Sequence, residues 1–311
     1  MIRALALLAG LSPAAAQDLA TYDGWAAEDP RAALAVFAAG CDRMDATWDA
    51  VCATAHTAPD ARAFFQTAFT ATPVDADTLF TAYYEPELAA APRRTERFTQ
   101  AIYALPPEGP PRIPRAQMEA ALAGRGLEIA WVEDAAEAFF LQVQGSGRLK
   151  MADGRVLRVG YAGKNGLDYR SIGREMVRRG AMTVQQATAP ALKDWIRANP
   201  AEGIALMNHN PSFVFFQPLD LPEDAGPIGT MGLPLTAHRS LAVDPSIIPL
   251  GAPVLVQVGG TTRLFIAQDT GSAITGPARA DIFMGSGGPD LGDAAGRMAQ
   301  RGRMTLLRPA S

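Results

Sequence analysis

QDTGSAITGPARADIFMGSGG, residues 268–288, decides how the rest of the chain is read. Five of its twenty-one residues are glycine, and its only charged side chains are Asp269, Arg279 and Asp281. Asp281 stands between Ala280 and the apolar pair Ile282–Phe283. A carboxylate pressed into such surroundings is costly unless it finds partners or stays protonated. That cost is tolerated chiefly at functional sites. Asp269 closes the strand-like run LFIAQ and opens the glycine-rich turn. It is placed either to orient a site or to cap the turn.

Around this stretch the chain reads as β structure. SLAV, APVLVQV and TRLFIAQ have strand composition, with Gly259–Gly260 as a hairpin turn. Much earlier, TLFTAYYEPE reads as a strand that Pro86 stops. Residues 30–72 have helical character, with Phe64, Phe65 and Phe69 on or near one face. A short helix is expected from about Arg115 to Leu122. AFFLQVQGSGRLKM is expected as a strand that puts Gln142 and Gln144 on one face, and VLRVGYAG as another. Residues 169–200 turn helical, Thr183 and Gln186 forming a capping-box pair. SFVFF returns to strand, and a last helix is expected from about Asp293 to Gln300. The pattern is mainly β with helical additions, an α+β chain. An outer domain is interrupted near residue 88 and resumes near 226, with a second domain inserted between.

Bulk properties narrow the class. The 311 residues are 48% hydrophobic and 19% charged, enough for a sizeable core. The net charge of −4 and the lack of a basic block argue against nucleic acid as a partner. MIRALALLAGLSPAAAQ reads as a signal peptide over residues 1–16: Arg3, an apolar run, then a small-residue cleavage site. No cysteine follows that run, so no lipid anchor is expected, and no later stretch approaches the roughly 20 apolar residues of a membrane span. In an oxidising compartment Cys41 and Cys52, an even pair eleven apart, suggest a local disulfide. Two cysteines and three scattered histidines show no metal-ligand spacing, and no cofactor motif is present. There is no G-x-S-x-G elbow, no P-loop and no dinucleotide-binding turn.

Acid–base chemistry by carboxylates remains. Asp244, before Pro245, reads first as a turn residue bonding its own backbone. Asp281, with few charges to hold it ionised, is the candidate acid.

YYEP (83–86), FFLQVQGSGRL (139–149), YAGKNGLDYRSIGREMV (161–177), NPSFVFF (210–216), TAHRSLAVDPSIIPLGAPV (236–254) and AQDTGSAITGPARADIFMG (267–285) together resemble the membrane-bound lytic murein transglycosylase A family. The last block also resembles the 3D domain, whose three aspartates here would be Asp244, Asp269 and Asp281. The resemblance implies a double-psi β-barrel domain with a smaller β domain inserted and a glycan groove between them. Residues 17–87 and 226–311 would form the barrel domain with N-terminal helices, and residues 88–225 the insert.

It also implies cleavage of the β-1,4 MurNAc–GlcNAc bond of peptidoglycan with 1,6-anhydro ends, Asp281 serving as acid and then base. Asp269 would hold its surroundings or stabilise positive charge at the sugar. Tyr83, Tyr84, Gln142, Gln144, Ser146, Lys164, Asn165, Tyr169, Arg170, Ser171 and Asp244 are the further groove candidates. The implied partners are peptidoglycan strands and, at one remove, cell-wall enzyme complexes. The implied site of action is the periplasm. Two other readings stand beside this one: a hydrolase with Asp269 as second carboxylate, and a non-catalytic peptidoglycan-binding protein.

Overall fold

The computed structural model describes residues 18–310, so the expected export segment lies outside the described residues. Its helices are α1 (Arg31–Gly40), α2 (Asp49–Ala55), α3 (Ala61–Ala68), α4 (Arg115–Leu122), α5 (Ala135–Gln144), α6 (Ile172–Arg178), α7 (Ala189–Ala198), α8 (Pro200–Met207) and α9 (Pro289–Arg297). Its strands are β1 (Phe69–Pro73), β2 (Thr78–Ala91), β3 (Gln100–Tyr103), β4 (Glu128–Val132), β5 (Ser146–Met151), β6 (Val156–Lys164), β7 (Val214–Leu219), β8 (Ser240–Ala242), β9 (Pro253–Val258), β10 (Thr261–Asp269), β11 (Arg279–Gly287) and β12 (Ala299–Pro309).

The N-terminal helices are knit by aromatic packing. Asp60 caps α3 by accepting from the Arg62 and Ala63 amides. Phe37 stacks edge-on to Phe69 at 5.5 Å and lies 6.0 Å from Phe64. Phe69 opens β1 rather than ending a helix, yet its ring joins the same cluster. A disulfide links Cys41 to Cys52, with Cα atoms 5.5 Å apart.

Six strands close into a barrel in the order β12, β9, β10, β8, β11, β2, and β12 pairs back onto β2. The pairs β8–β10 and β2–β11 are parallel; the others are antiparallel. Gly302 pairs with both Thr78 and Val258, where β12 passes from one neighbour to the other. A Cβ there would lie 2.2 Å from the Gln257 carbonyl oxygen, so only glycine closes the ring at that point. Phe80, Leu241, Val254, Leu264, Ala280 and Met304 fill the interior. The chain is mainly β with helical parts.

A second sheet is built on the far half of β2. Glu87–Ala90 pair in parallel with Arg148–Met151 of β5, followed by β6 and β7 on one side and by β4 and β3 on the other. A bridge from Ala104 to Phe216 brings the end of β3 to β7. Thus β2 runs through Pro86 instead of stopping there. Pro86 is the last residue paired with β11, and Glu87 is the first paired with β5. The missing proline N–H falls where neither ladder is continuous.

The expected strand at Ala138–Gln144 is helix α5. Asp134 accepts from the Ala136 and Glu137 amides, and Gly145 ends the helix at φ 81°. The Asp134–Glu137 spacing is itself a capping pattern, and it outweighs the apparent alternation of Leu141, Gln142, Val143 and Gln144. Thr183 and Gln186 do exchange the reciprocal bonds, at 2.8 and 3.2 Å, but they close a turn between α6 and α7. The last helix begins at Pro289 and ends at Arg297, after which β12 starts at Ala299, earlier than the expected helix allows.

Candidate active site

Strand alternation sets the site. Ala280 and Ile282 are buried in the barrel core, so Arg279 and Asp281 turn to the other face of β11. In the parallel ladder Asp281 is opposite Thr81, whose Oγ1 donates to Asp281 Oδ1 at 2.7 Å. Arg279 Nη2 in turn donates to Thr81 Oγ1 at 3.2 Å. Burial pushes the Asp281 carboxyl up to about 6, the charge of Asp269 adds to the rise, and the Thr81 bond and the Arg279 charge oppose it. Among the described residues, none donates to Asp281 Oδ2.

Asp281 and Asp269 are both in register with Ala242 of β8, which lies between them. Two strand spacings put their backbones about 10 Å apart. Both oxygens of Asp269 are engaged: Tyr83 Oη donates to Oδ2 at 2.9 Å, and the Thr230 amide and hydroxyl donate to Oδ1, each at 2.9 Å. Burial and then the Asp269 charge lift the Tyr83 phenol well above its usual range, so it is a neutral donor. Its ring rests 5.3 Å from that of Phe283.

Asp244 has a different task. Its Oδ1 accepts from the Ser246 amide at 2.9 Å and the Ser246 hydroxyl at 2.6 Å, while Oδ2 accepts from the Gly276 amide at 2.6 Å. These bonds, Gly276 first, hold its carboxyl below the usual range. Asp244 therefore staples the turn after β8 to the loop between Asp269 and Arg279.

Residues 79–217 match the MltA specific insert domain and residues 239–308 match the 3D domain. The chain is 35% identical over 246 residues to membrane-bound lytic murein transglycosylase A of Vibrio cholerae, covering 74% of this chain and 65% of that protein. It thus spans slightly less than two thirds of that relative's length. The crystal structure of a membrane-bound lytic murein transglycosylase from Agrobacterium tumefaciens superimposes with a TM-score of 0.86 at 31% identity, covering 94% of this chain and 97% of that one. This chain belongs to the membrane-bound lytic murein transglycosylase A family. Another solved member, Escherichia coli MltA with bound chitohexaose, is similar at a TM-score of 0.74 and 30% identity, over 89% of this chain and 90% of that one.

Within this member of the lytic murein transglycosylase A family, the other candidate residues divide. Gln142 and Gln144 lie two apart on α5, so they do not share a face as the expected strand required. Gln142 Oε1 accepts from Arg115 Nη2 at 2.7 Å and from the Val214 amide at 3.2 Å, and Gln144 Oε1 accepts from the Tyr84 amide at 3.2 Å. Asn165 is buried; its Nδ2 donates to the Ile113 and Pro211 carbonyls, and its Oδ1 accepts from the Phe213 amide. Ser171 caps α6 through the Arg174 amide, and Ser146 is buried at the start of β5. Asn165 is thus committed on both its amide nitrogen and oxygen, whereas Gln142 and Gln144 are engaged through Oε1 alone, with no described partner for either Nε2.

Tyr84 points away from Tyr83, as alternation requires, and packs against α9 at Gly292, where an added Cβ would meet its hydroxyl oxygen at 2.4 Å. It lines a cavity of about 270 Å³ with Glu137, Lys193 and Asp293. Burial lifts its phenol to about 12. Burial likewise raises the Tyr169 phenol, against the Ser171 bond and the charges of Arg115 and Arg174. Lys164 ends β6 opposite Val214.

Sequence reasoning missed Thr81, Thr230, Arg279 and, beneath them, Glu85. Glu85 is fully buried and accepts from Arg148 Nε at 2.8 Å, Arg158 Nη2 at 3.0 Å and Ser286 Oγ at 2.5 Å. This cluster ties β2 and β11 of the barrel to β5 and β6 of the second sheet. The alternation Thr81–Tyr83 was the available signal for the first of these residues, while the pairing of Glu85 needed the three-dimensional fold. No group of three His, Cys, Asp or Glu comes together as a metal site among the described residues, and no described helix is long and apolar enough to cross a membrane.

Proposed function

We propose that the chain is a peptidoglycan lytic transglycosylase that cleaves the β-1,4 MurNAc–GlcNAc bond and leaves 1,6-anhydro-MurNAc ends, with Asp281 as its single acid and then base. One observation carries this reading. A carboxyl lifted to about 6 keeps one oxygen unengaged, while the nearest second carboxylate has both oxygens occupied.

The neutral Asp281 carboxyl would give its proton to the glycosidic oxygen as the C1–oxygen bond breaks. Positive charge then develops at the sugar. Its 6-hydroxyl oxygen would bond to C1, and the Asp281 carboxylate would take the hydroxyl proton. The enzyme thus returns to its starting state with no water consumed. Intramolecular delivery of the nucleophile supplies the rate advantage that a second carboxylate gives a hydrolase. Asp269, held by Tyr83 and Thr230, would stabilise the developing positive charge from a fixed position.

The chitohexaose bound by the Escherichia coli relative supports a β-linked amino-sugar strand as ligand. A hydrolase would require Asp269 to activate water, and its three donors argue against that role. We place the glycan groove between a barrel domain (17–87 and 226–311) and an insert (88–225), and the enzyme in the periplasm. Mass spectrometry of products from isolated sacculi tests the reading: anhydro ends support it, and reducing ends favour the hydrolase.

A further inference from the structure

Arg279 is two residues from Asp281 on the same face of β11, yet it makes no ion pair with it among the described residues; its Nη2 reaches Thr81 instead. A guanidinium only donates, and a threonine hydroxyl has one proton. With Arg279 donating into Oγ1, that proton is directed at Asp281 Oδ1, 2.7 Å away. In a neutral carboxyl the carbonyl oxygen is the stronger acceptor, so the incoming Thr81 proton favours Oδ1 as carbonyl and Oδ2 as hydroxyl. The neutral carboxyl therefore holds its hydrogen on Oδ2, which no described residue engages.

We propose that Arg279 is a positioning residue: acting through Thr81, it pins Oδ1 of Asp281 and keeps the transferable proton on Oδ2, facing the glycan. Without Arg279 the Thr81 hydroxyl is free to turn and accept from Oδ1–H, and the acid proton is then held inside the protein. The inference rests on the lytic transglycosylase reading and names the atom that performs it.

The other groups facing Asp281 do not supply this orientation. On β10 there is Asp269, and on β2 there is Tyr83, whose hydroxyl is spent on Asp269. The short strand β8 contributes only Ala242. Arg174 of α6 and Arg301 of β12 act on Arg279 by like-charge repulsion, and the Asp281 charge counters them.

The test is a cycle of variants assayed for anhydro-muropeptide release across pH 4.5–8.5. Arg279→Gln should lower kcat on the acidic plateau roughly tenfold with KM unchanged, and should move the alkaline limb to higher pH because a stabilising charge is gone. Arg279→Lys, which keeps a donor and the charge, should recover most of kcat. Thr81→Val should lose a similar factor, and Thr81→Ser should retain activity. Adding Arg279→Gln to Thr81→Val should then cost no more than roughly twofold, since no hydroxyl is left to orient.

Plateau losses that simply multiply in the double variant, or an Arg279→Gln kcat within about twofold of wild type, would overturn the proposal. Equal losses from Thr81→Ser and Thr81→Val would do the same. If Arg279→Gln fails to fold, the Arg279→Lys, Thr81→Ser and Thr81→Val comparison still decides. A wild-type chain that releases no anhydro ends removes the functional reading itself, whereas anhydro release with independent variants removes only the role of Arg279.

Discussion

Replacing Asp281 by Asn should stabilise the protein at neutral pH while removing its acid. The Asp281 carboxyl titrates near 6 instead of its ordinary 3.8, mainly because burial disfavours the charged form. Each pH unit of that rise corresponds to about 1.4 kcal/mol, so the ionised carboxylate costs the fold up to about 3 kcal/mol. Water reaching the partly exposed side chain lowers this toward about 2 kcal/mol. Between pH 3.8 and about 6 the native state binds the proton more tightly than the unfolded chain. Stability therefore falls as pH rises through that window. The whole penalty is present above it and absent below.

Asparagine does not titrate, and its amide oxygen still accepts from Thr81. At about 2 °C per kcal/mol for a chain of this size, Asp281→Asn should melt about 4–6 °C above wild type at pH 7.5, and at the same temperature at pH 3.8. Differential scanning calorimetry at the two pH values reads this directly, independently of any substrate. An equal offset at both pH values, or a variant that melts lower at pH 7.5, would refute the reasoning.

Activity of the wild-type enzyme should fall as pH rises through about 6, because the acid step needs the neutral carboxyl; a rate profile flat from pH 5 to 8 would contradict this. Glu85→Ala should leave Arg148 and Arg158 without their shared buried carboxylate and destabilise the fold by about 3–5 kcal/mol in urea denaturation, a far larger effect than loss of any surface pair. Replacing both Cys41 and Cys52 by Ser opens a short loop and should lower stability by about 3 kcal/mol on the chain-entropy estimate, with kcat unchanged in the muropeptide assay.

Much of the architecture was legible because local chemistry agreed with the fold. Arg115–Leu122 is helical as its composition implies, and the Gly259–Gly260 turn joins β9 to β10 with both residues at positive φ. Asp281 could be singled out because its neighbours Ala280, Ile282 and Phe283 are apolar and few charges stand nearby; that strand alternation turns it to the face opposite the core emerged only with β11. Misreadings came where local signals competed. Apolar–polar alternation in LQVQ imitated a strand although Asp134 had already nucleated a helix, and Pro86 imitated a stop although β2 merely changes sheets there. Asn165 looks like a donor for a saccharide in one dimension, yet the Ile113 and Pro211 carbonyls that take its amide protons are remote in sequence and come together only on folding, as do the Arg115 and Tyr84 donors that fix the two glutamine oxygens. The Arg279–Thr81–Asp281 relay spans 200 residues of chain and depends on the parallel pairing of β11 with β2, which no local pattern encodes.

The most direct measurement is mass spectrometry of muropeptides released from purified sacculi in ¹⁸O-water by wild type and by Asp281→Asn. Wild type should release 1,6-anhydro ends free of solvent oxygen, and the variant should release almost none while remaining folded. Reducing ends carrying ¹⁸O from the wild-type enzyme, or undiminished release by the variant, would contradict a single carboxyl that gives up a proton and takes one back.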